Sequence, residues 1–358
     1  ERLIKALNHE EPDRIPFDLG GTIITSITKQ AYINLRHYLG LPEKDVKIFD
    51  HVQQLPYLDE ALLNKLNVDL RMVQTHYVRG DDLQYMEEKD YYYFYDGWGS
   101  KMRMPKENGH YFDWVEFPIN EISMQALEQY QWPGTDSAES IRKHKDRARD
   151  LYENTDYALA GTGVFGGGVF EQPSRIMKMD QFLLSLMSHE RFADTVMEKI
   201  TEIYIENCNK YLDELGDYIQ VFVYWNDLST QNGPLISPDM YRRLIKPKDK
   251  RLIDAVKKKT DAKIFYHCCG AAREFIPDFI EIGVDILNPV QISAKGMDTA
   301  ELKRDFGDDI VFWGGGVDTQ STLPFGTPEE VQAEVVERIR ALGPGGGFVF
   351  NPVHNVQP

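Results

Sequence analysis

From Tyr157 onward the chain is a regular series of short apolar runs: "YALAGTG", "YIQVFVYWND", "AKIFYHCCG", "VDILNPV", "DIVFWGGG" and "GGFVFNPVHN". They are apolar throughout rather than alternating, the pattern of strands buried on both faces of a parallel sheet. Parallel neighbours need long crossovers, and amphipathic helical stretches over 179–215, 238–259, 272–282, 298–306 and 328–342 separate most of the runs. Two earlier runs, "RIPFDLGG" and "VDLRMVQ", bring the count to eight, with helical patterning over 27–39 and 56–66 between them. Eight such units close into a barrel, so the expected fold is α/β, a (β/α)8 TIM barrel spanning 1–358 as one domain. The last run lies close to Pro358, so a final covering helix is expected to fall outside the sequence.

One stretch breaks the rhythm. Between Leu83 and Ile122, "YMEEKDYYYFYDGWGSKMRMPKENGHYFDWVEFPI" alternates aromatic with polar residues and is punctuated by "DGWG" and "KENG". Turn dipeptides between alternating runs signal hairpins, so an antiparallel β-hairpin excursion is expected around 83–122. Its aromatic face is expected to pack on the body in cross-strand pairs, in preference to forming a ligand platform.

Charge and cysteine content narrow the function. A net charge of −17 excludes a phosphate-backbone partner and disfavours anionic membranes. No run approaches the 18 apolar residues of a membrane span, and "ERLIKALNHEEPDR" is amphipathic and acidic rather than signal-like. Three cysteines, two of them adjacent, cannot make a disulfide framework, so a reduced, cytoplasmic protein is expected. A homodimer is the common state for such enzymes.

In TIM barrels the chemistry sits at the C-terminal strand ends. Here those ends carry Asp18, Gly161 to Gly168, Asn226, Asp227, His267 to Cys269, Asn288, Gly314 to Asp318 and His354. Asp18, before a glycine pair, can serve the site or cap a turn. "GTGVFGGG" lacks dinucleotide spacing and reads as pocket wall. Asp227 ends an almost wholly apolar strand, where an unpaired carboxylate costs several kcal/mol, which favours a functional role. Cys208 lies mid-helix and reads as core. His267 and Cys269 are spaced i, i+2, so on an extended strand end both face one way while Cys268 faces the helix layer. A thiolate–imidazole pair suits zinc, and His354 at the last strand end can supply a third ligand. The competing reading is a hydrogen-bonded pocket histidine beside an inert thiol.

The H-x-C-G stretch at His267-Cys268-Cys269-Gly270 resembles the equivalent strand of the uroporphyrinogen decarboxylase superfamily. The resemblance runs essentially the whole length and is clearest in "NDLSTQNGPLISPDMYRRLIKP", "GVDILNPVQ" and "FGDDIVFWGGGVDTQ". True decarboxylases carry an N-terminal R-Q-A-G-R-Y-type segment whose arginines hold the porphyrinogen carboxylates. The corresponding "IPFDLGGTIITSITKQ" has no arginine between Ile15 and Leu35. The other branch comprises zinc methyltransferases that work with corrinoid proteins, including the coenzyme M enzymes and O-demethylase methyltransferases. Their late metal-binding cysteine segment aligns with "FVFNPVHN", placing His354 at the cysteine position.

The resemblance implies a methyltransferase that moves a methyl group from a small O- or N-methylated donor, an O-methyl donor first, to the cobalamin of a partner corrinoid protein. Zinc on His267, Cys269 and His354 would be the Lewis acid. Asp227 would orient the donor, serve as fourth ligand or relay a proton. Asp18, Asn226 and Asn288 would line the pocket, and Tyr224, Trp225 and Trp313 would form its apolar walls. A metal-free decarboxylase of a carboxylated substrate is the alternative, with Asp18 or Asp227 stabilising a protonated intermediate. A third reading is a non-catalytic barrel that binds a corrinoid protein or tetrapyrrole.

Overall fold

The computed structural model describes residues 1–74, 83–162 and 166–358. Seven parallel strands form one curled sheet: Leu70–Gln74, Ala158–Thr162, Val221–Trp225, Lys263–His267, Ile286–Asn288, Val311–Trp313 and Phe348–Val349, each paired with the next in that order. The eighth position is filled by Pro16–Asp18, which forms a parallel bridge between Phe17 and Phe350. Backbone bonds from Asp18 N to Phe350 O and from Phe350 N to Pro16 O, both 2.9 Å, tie it to one sheet edge. On the other side Asp69 N donates to Phe17 O at 2.9 Å, closing the barrel. The first run is therefore a bridge rather than a full strand. Pro16 has no N–H, and the Phe17 N–H is taken by the Asp69 side chain at 2.8 Å, so a longer ladder cannot form there.

Register sets the site. His267 lies opposite Trp225 on one side and Asn288 on the other, so three strand ends reach the same level of one mouth. Alternation along the strands then sorts side chains into two layers. Phe265 points inward onto Trp313, with ring centroids 5.2 Å apart, whereas Tyr266 points outward onto Phe279 at 4.4 Å.

The crossover helices match the amphipathic stretches, with local corrections. The 179–215 stretch is two helices, Met179–Ser188 and Glu190–Leu215, because His189 between them leaves the helical region, at φ −139 and ψ 50. Residues 238–259 contain a π-helical turn, Tyr241–Ile245, ahead of the helix Lys246–Lys257. Pro328–Leu342 starts at a capping box between Thr327 and Glu330, worth about 1 kcal/mol. The longest helix of the described residues, 26 residues, is amphipathic, and no helix is long and apolar enough to cross a membrane.

The excursion is richer than a hairpin. Met86–Glu88, Tyr91–Tyr95, Lys101–Pro105 and Asp113–Glu116 form a four-stranded antiparallel meander. Phe94, Met102, Met104 and Phe112 bury one face against Val52, a small core of its own. The aromatic face thus does pack on the body, as cross-strand pairing implies, yet the segment 111–114 also turns towards the barrel mouth.

Candidate metal centre and pocket

The mouth holds a cavity of about 260 Å³ with His267, His354 and Asp227 in its lining. Cys269 joins them: the possible ligand atoms of His267, Cys269 and His354 all lie within 4.8 Å of one another. Cys269 Sγ is 3.3 Å from His267 Nε2, and the two imidazole centroids are 5.4 Å apart. Cys268 is absent from this group. It is fully buried on the outer side, where Leu228 N–H donates to its sulfur at 3.5 Å.

The strand ends fix the ligand orientation. Asn288 Nδ2 donates to Trp313 O at 2.9 Å, which orients the amide so that its oxygen faces His267. His267 Nδ1 lies 2.6 Å from that oxygen and so carries the proton, leaving the Nε2 lone pair for the cavity. Cys269 N donates to Asp227 Oδ1 at 2.7 Å, linking two strand ends. Gly270 adopts φ +84, and a Cβ there would sit 2.5 Å from Thr230 O, so the glycine of the H-C-C-G stretch is needed twice over.

Electrostatics suit a cation. Burial, and His267 next to it, push His354 down to about 4, so its imidazole is neutral at ordinary pH. Burial, followed by the charge of Asp227, pushes the Cys269 thiol well above its usual range, so a bound cation is what would make it a thiolate. Tetrahedral zinc places imidazole and thiolate donors roughly 3.3–3.6 Å apart, given bonds of about 2.0–2.1 and 2.3 Å. The 3.3 Å sulfur–nitrogen spacing, two imidazoles and one thiol fit that ion.

The remaining residues divide by strand parity. Trp225 lines the cavity. Tyr224 and Asn226, expected there, face outward instead: the Tyr224 hydroxyl donates to Asp249 Oδ1 at 2.7 Å and Asn226 Nδ2 to the same oxygen at 2.9 Å. Tyr266 OH reaches Asp249 Oδ2 at 2.9 Å and Tyr241 OH reaches it at 3.4 Å, so Asp249 is a buried hub of four donors. Trp313 and Asp18 are not among the lining residues; the indole N–H donates to Asp18 Oδ2 at 3.0 Å and Gly21 N to Oδ1 at 2.8 Å. Asp18 thus caps a turn and holds the Trp313 indole, and burial pushes its carboxyl up to about 6. Of the glycine stretch, residues 163–165 lie outside the described residues; Gly168 packs so tightly that a Cβ would overlap the Asn226 side chain.

Glu171, Arg175 and Asp50 are among the cavity residues that no strand-end rule picks out. Glu171 and Arg175 come from the helix Glu171–Met177, and Asp50 ends the short strand Ile48–Asp50. Glu171 Oε1 accepts from Asp227 N at 3.2 Å; burial first, and the Asp227 charge second, push it up to about 8. Hydrogen bonds from the backbone N–H groups of Asp227 and Gly168 oppose that shift, and Arg175 lies 3.2 Å from Glu171 Oε2.

Comparison with known proteins agrees with this architecture. The sequence model of the family described as "Uroporphyrinogen decarboxylase (URO-D)" matches residues 93–358. A uroporphyrinogen decarboxylase of Neisseria meningitidis is 23% identical over 273 residues, 74% of this chain and 68% of that protein. One of Chlorobium luteolum is 25% identical over 184 residues, and the match spans about half of each chain, 49% and 48%. Among solved structures, a methyltransferase from Methanosarcina mazei superposes with a TM-score of 0.63 at 15% identity, covering 99% of this chain and 92% of that one, a likeness of fold. The chain belongs to the uroporphyrinogen decarboxylase (URO-D) family.

Proposed function

We propose that this protein is a zinc-dependent methyltransferase that takes a methyl group from a small O- or N-methylated donor and delivers it to a corrinoid carried by a partner protein. The observation that carries the reading is the convergence of His267, Cys269 and His354 at the cavity. When bound there, zinc supplies a Lewis acid beside the donor. The chain's own residues do the rest. Asn288 holds the His267 tautomer. Asp227 fixes the Cys269 backbone and keeps a partly exposed carboxylate towards the cavity, where it can orient the donor. Trp225 and Ile24 present apolar wall that excludes water.

The names of the curated relatives favour a second reading, decarboxylation of a porphyrinogen. The cavity is against it. About 260 Å³ falls below the roughly 300–1,000 Å³ usual for drug-sized ligands, and a tetrapyrrole is larger still. Ile23 and Ile24 line the cavity from the stretch where a decarboxylase carries its arginine clamp. Elemental analysis followed by methyl transfer to reduced cobalamin tests the proposal. Stoichiometric zinc with turnover of a methylated donor is expected. Metal-free protein that converts uroporphyrinogen to coproporphyrinogen would replace it with the decarboxylase.

A further inference from the structure

The cavity meets solvent along the meander. Of its described lining residues, Tyr111 and Asp113 are the exposed ones, and both belong to the segment through which the meander reaches the mouth. The barrel's own apolar contributions, Ile23, Ile24 and Trp225, are buried. Trp114, half-buried on the same segment, is the bulkiest side chain that the meander puts into the wall.

That indole is held by its edge, its face and its strand. Its N–H points to Asp96 Oδ2 at 3.4 Å, and Asp96 Oδ1 accepts from Trp98 N and Ser100 N, each at 2.9 Å. The Arg175 guanidinium carbon lies 4.7 Å from the ring centroid. Across the antiparallel ladder Trp114 pairs with Met102, which is fully buried. The turn that holds the indole also reaches the helix that carries Arg175, because Ser100 Oγ donates to Arg175 O at 2.6 Å. Swinging Trp114 out of the wall would break the Asp96 contact and the Arg175 stack together, so the ring is a fixed boundary.

Volume sets what fits inside that boundary. An apolar cavity of about 150 Å³ holds one benzene ring, so two linked rings need about 300 Å³. The cavity here is about 260 Å³. One ring with a small substituent fits, and a second ring needs the space of a wall residue. We propose that Trp114 sets the upper size of the methyl donor and confines its leaving group to about one ring. This rests on the methyltransferase reading and narrows its substrate class.

Equilibrium dialysis of the full chain against phenol and 4-phenylphenol reads the limit. Both probes carry an oxygen for the metal site, and they differ by one ring. Burial of apolar surface favours the larger probe, so a preference for the smaller one reports a wall. Phenol is expected to bind at least about tenfold tighter, or about 1.4 kcal/mol. Trp114→Ala is expected to reverse the order. Trp114→Phe keeps a ring face on Arg175 and is expected to lie between the two; it decides should Trp114→Ala fail to fold. Binding of 4-phenylphenol to the wild type as tight as that of phenol, binding of neither probe, or a phenol preference unchanged by the substitutions overturns the proposal. The dialysis needs no corrinoid and no turnover. A size limit without methyl transfer to reduced cobalamin sinks the methyltransferase reading alone. Transfer from 4-methoxybiphenyl as fast as from anisole sinks the size limit alone.

Discussion

The strands Val221–Trp225 and Lys263–His267 present two faces that differ by one residue of register and by everything in their chemistry. Outward, Tyr224, Asn226 and Tyr266 converge on Asp249, whose oxygens accept four donors in the helix layer. Inward, Trp225, Asp227, His267 and Cys269 converge on open space. Both faces bury ionisable groups. Outside, each partner is supplied by the chain and the network is saturated, which specifies structure. Inside, two imidazoles and a thiol turn their ligand atoms to one another and to the cavity. A site is the place where the fold stops satisfying its own polar groups.

The largest test of that contrast uses the adjacent cysteines. Cys269→Ala is expected to remove stoichiometric zinc and all methyl transfer while the barrel stays folded. Cys268→Ala is expected to keep both and to cost about 1–2 kcal/mol of packing. Plasma emission spectrometry beside urea melts reads both quantities. Full zinc in Cys269→Ala would return His267 to the status of a hydrogen-bonded pocket histidine.

The outer face answers to stability instead. Asp249→Ala leaves the hydroxyls of Tyr224 and Tyr266 and the Asn226 amide without their buried acceptor. Each orphaned donor costs about 1–3 kcal/mol, and a total loss of about 3–5 kcal/mol is expected in the urea midpoint. A loss under 1 kcal/mol would mean that the hub is plastic and that the two faces are less different than their geometry suggests.

Legibility in the sequence followed periodicity. Unbroken apolar runs gave the barrel, and period two along "FYHCC" separated Cys268 from its neighbours. The i, i+2 pair and a histidine at a distant strand end were enough to find the trio that the fold brings within 4.8 Å. What lacks a period stayed hidden. Asp249 sits in "KPKDKRL", where one more charge reads as a solvated helix face, although it is fully buried. Glu171 follows a glycine-rich loop and starts a helix, so no strand-end rule points to it. Asp50 ends a three-residue strand in a two-stranded sheet that composition does not signal. Tyr224, Asn226 and Trp313 stand near strand ends, which alone does not bring a side chain into the pocket. The same parity that turns Cys268 away sends Tyr224 and Asn226 to the outer layer.

The smallest effect is a pH slope that belongs to the outer face alone. Burial pushes Asp249 up to about 6, against the combined pull of its hydrogen-bond donors. In the unfolded chain it titrates near its usual value of about 3.9. Between those values the folded state holds more protons than the unfolded one, so this group's contribution to stability falls as pH rises. It is fully present below about 4 and gone above about 6. A shift of about two units corresponds to roughly 2–3 kcal/mol as an upper figure. Other carboxylates also shift, Asp18 in the same sense and the salt-bridged Asp59, Asp278 and Asp305 in the opposite one, so the absolute slope of the wild type is a mixture. The difference between wild type and Asp249→Asn removes that background. Asparagine keeps one acceptor oxygen, puts an NH2 donor in place of the carboxyl O–H, and has no proton to lose. Urea midpoints at several pH values between 4 and 7 should therefore converge at the acid end and separate towards neutrality, with the variant the less pH-sensitive of the two. Parallel curves would show that Asp249 stays ionised throughout, held by its four donors, and that the outer face neutralises its buried charge by hydrogen bonds alone.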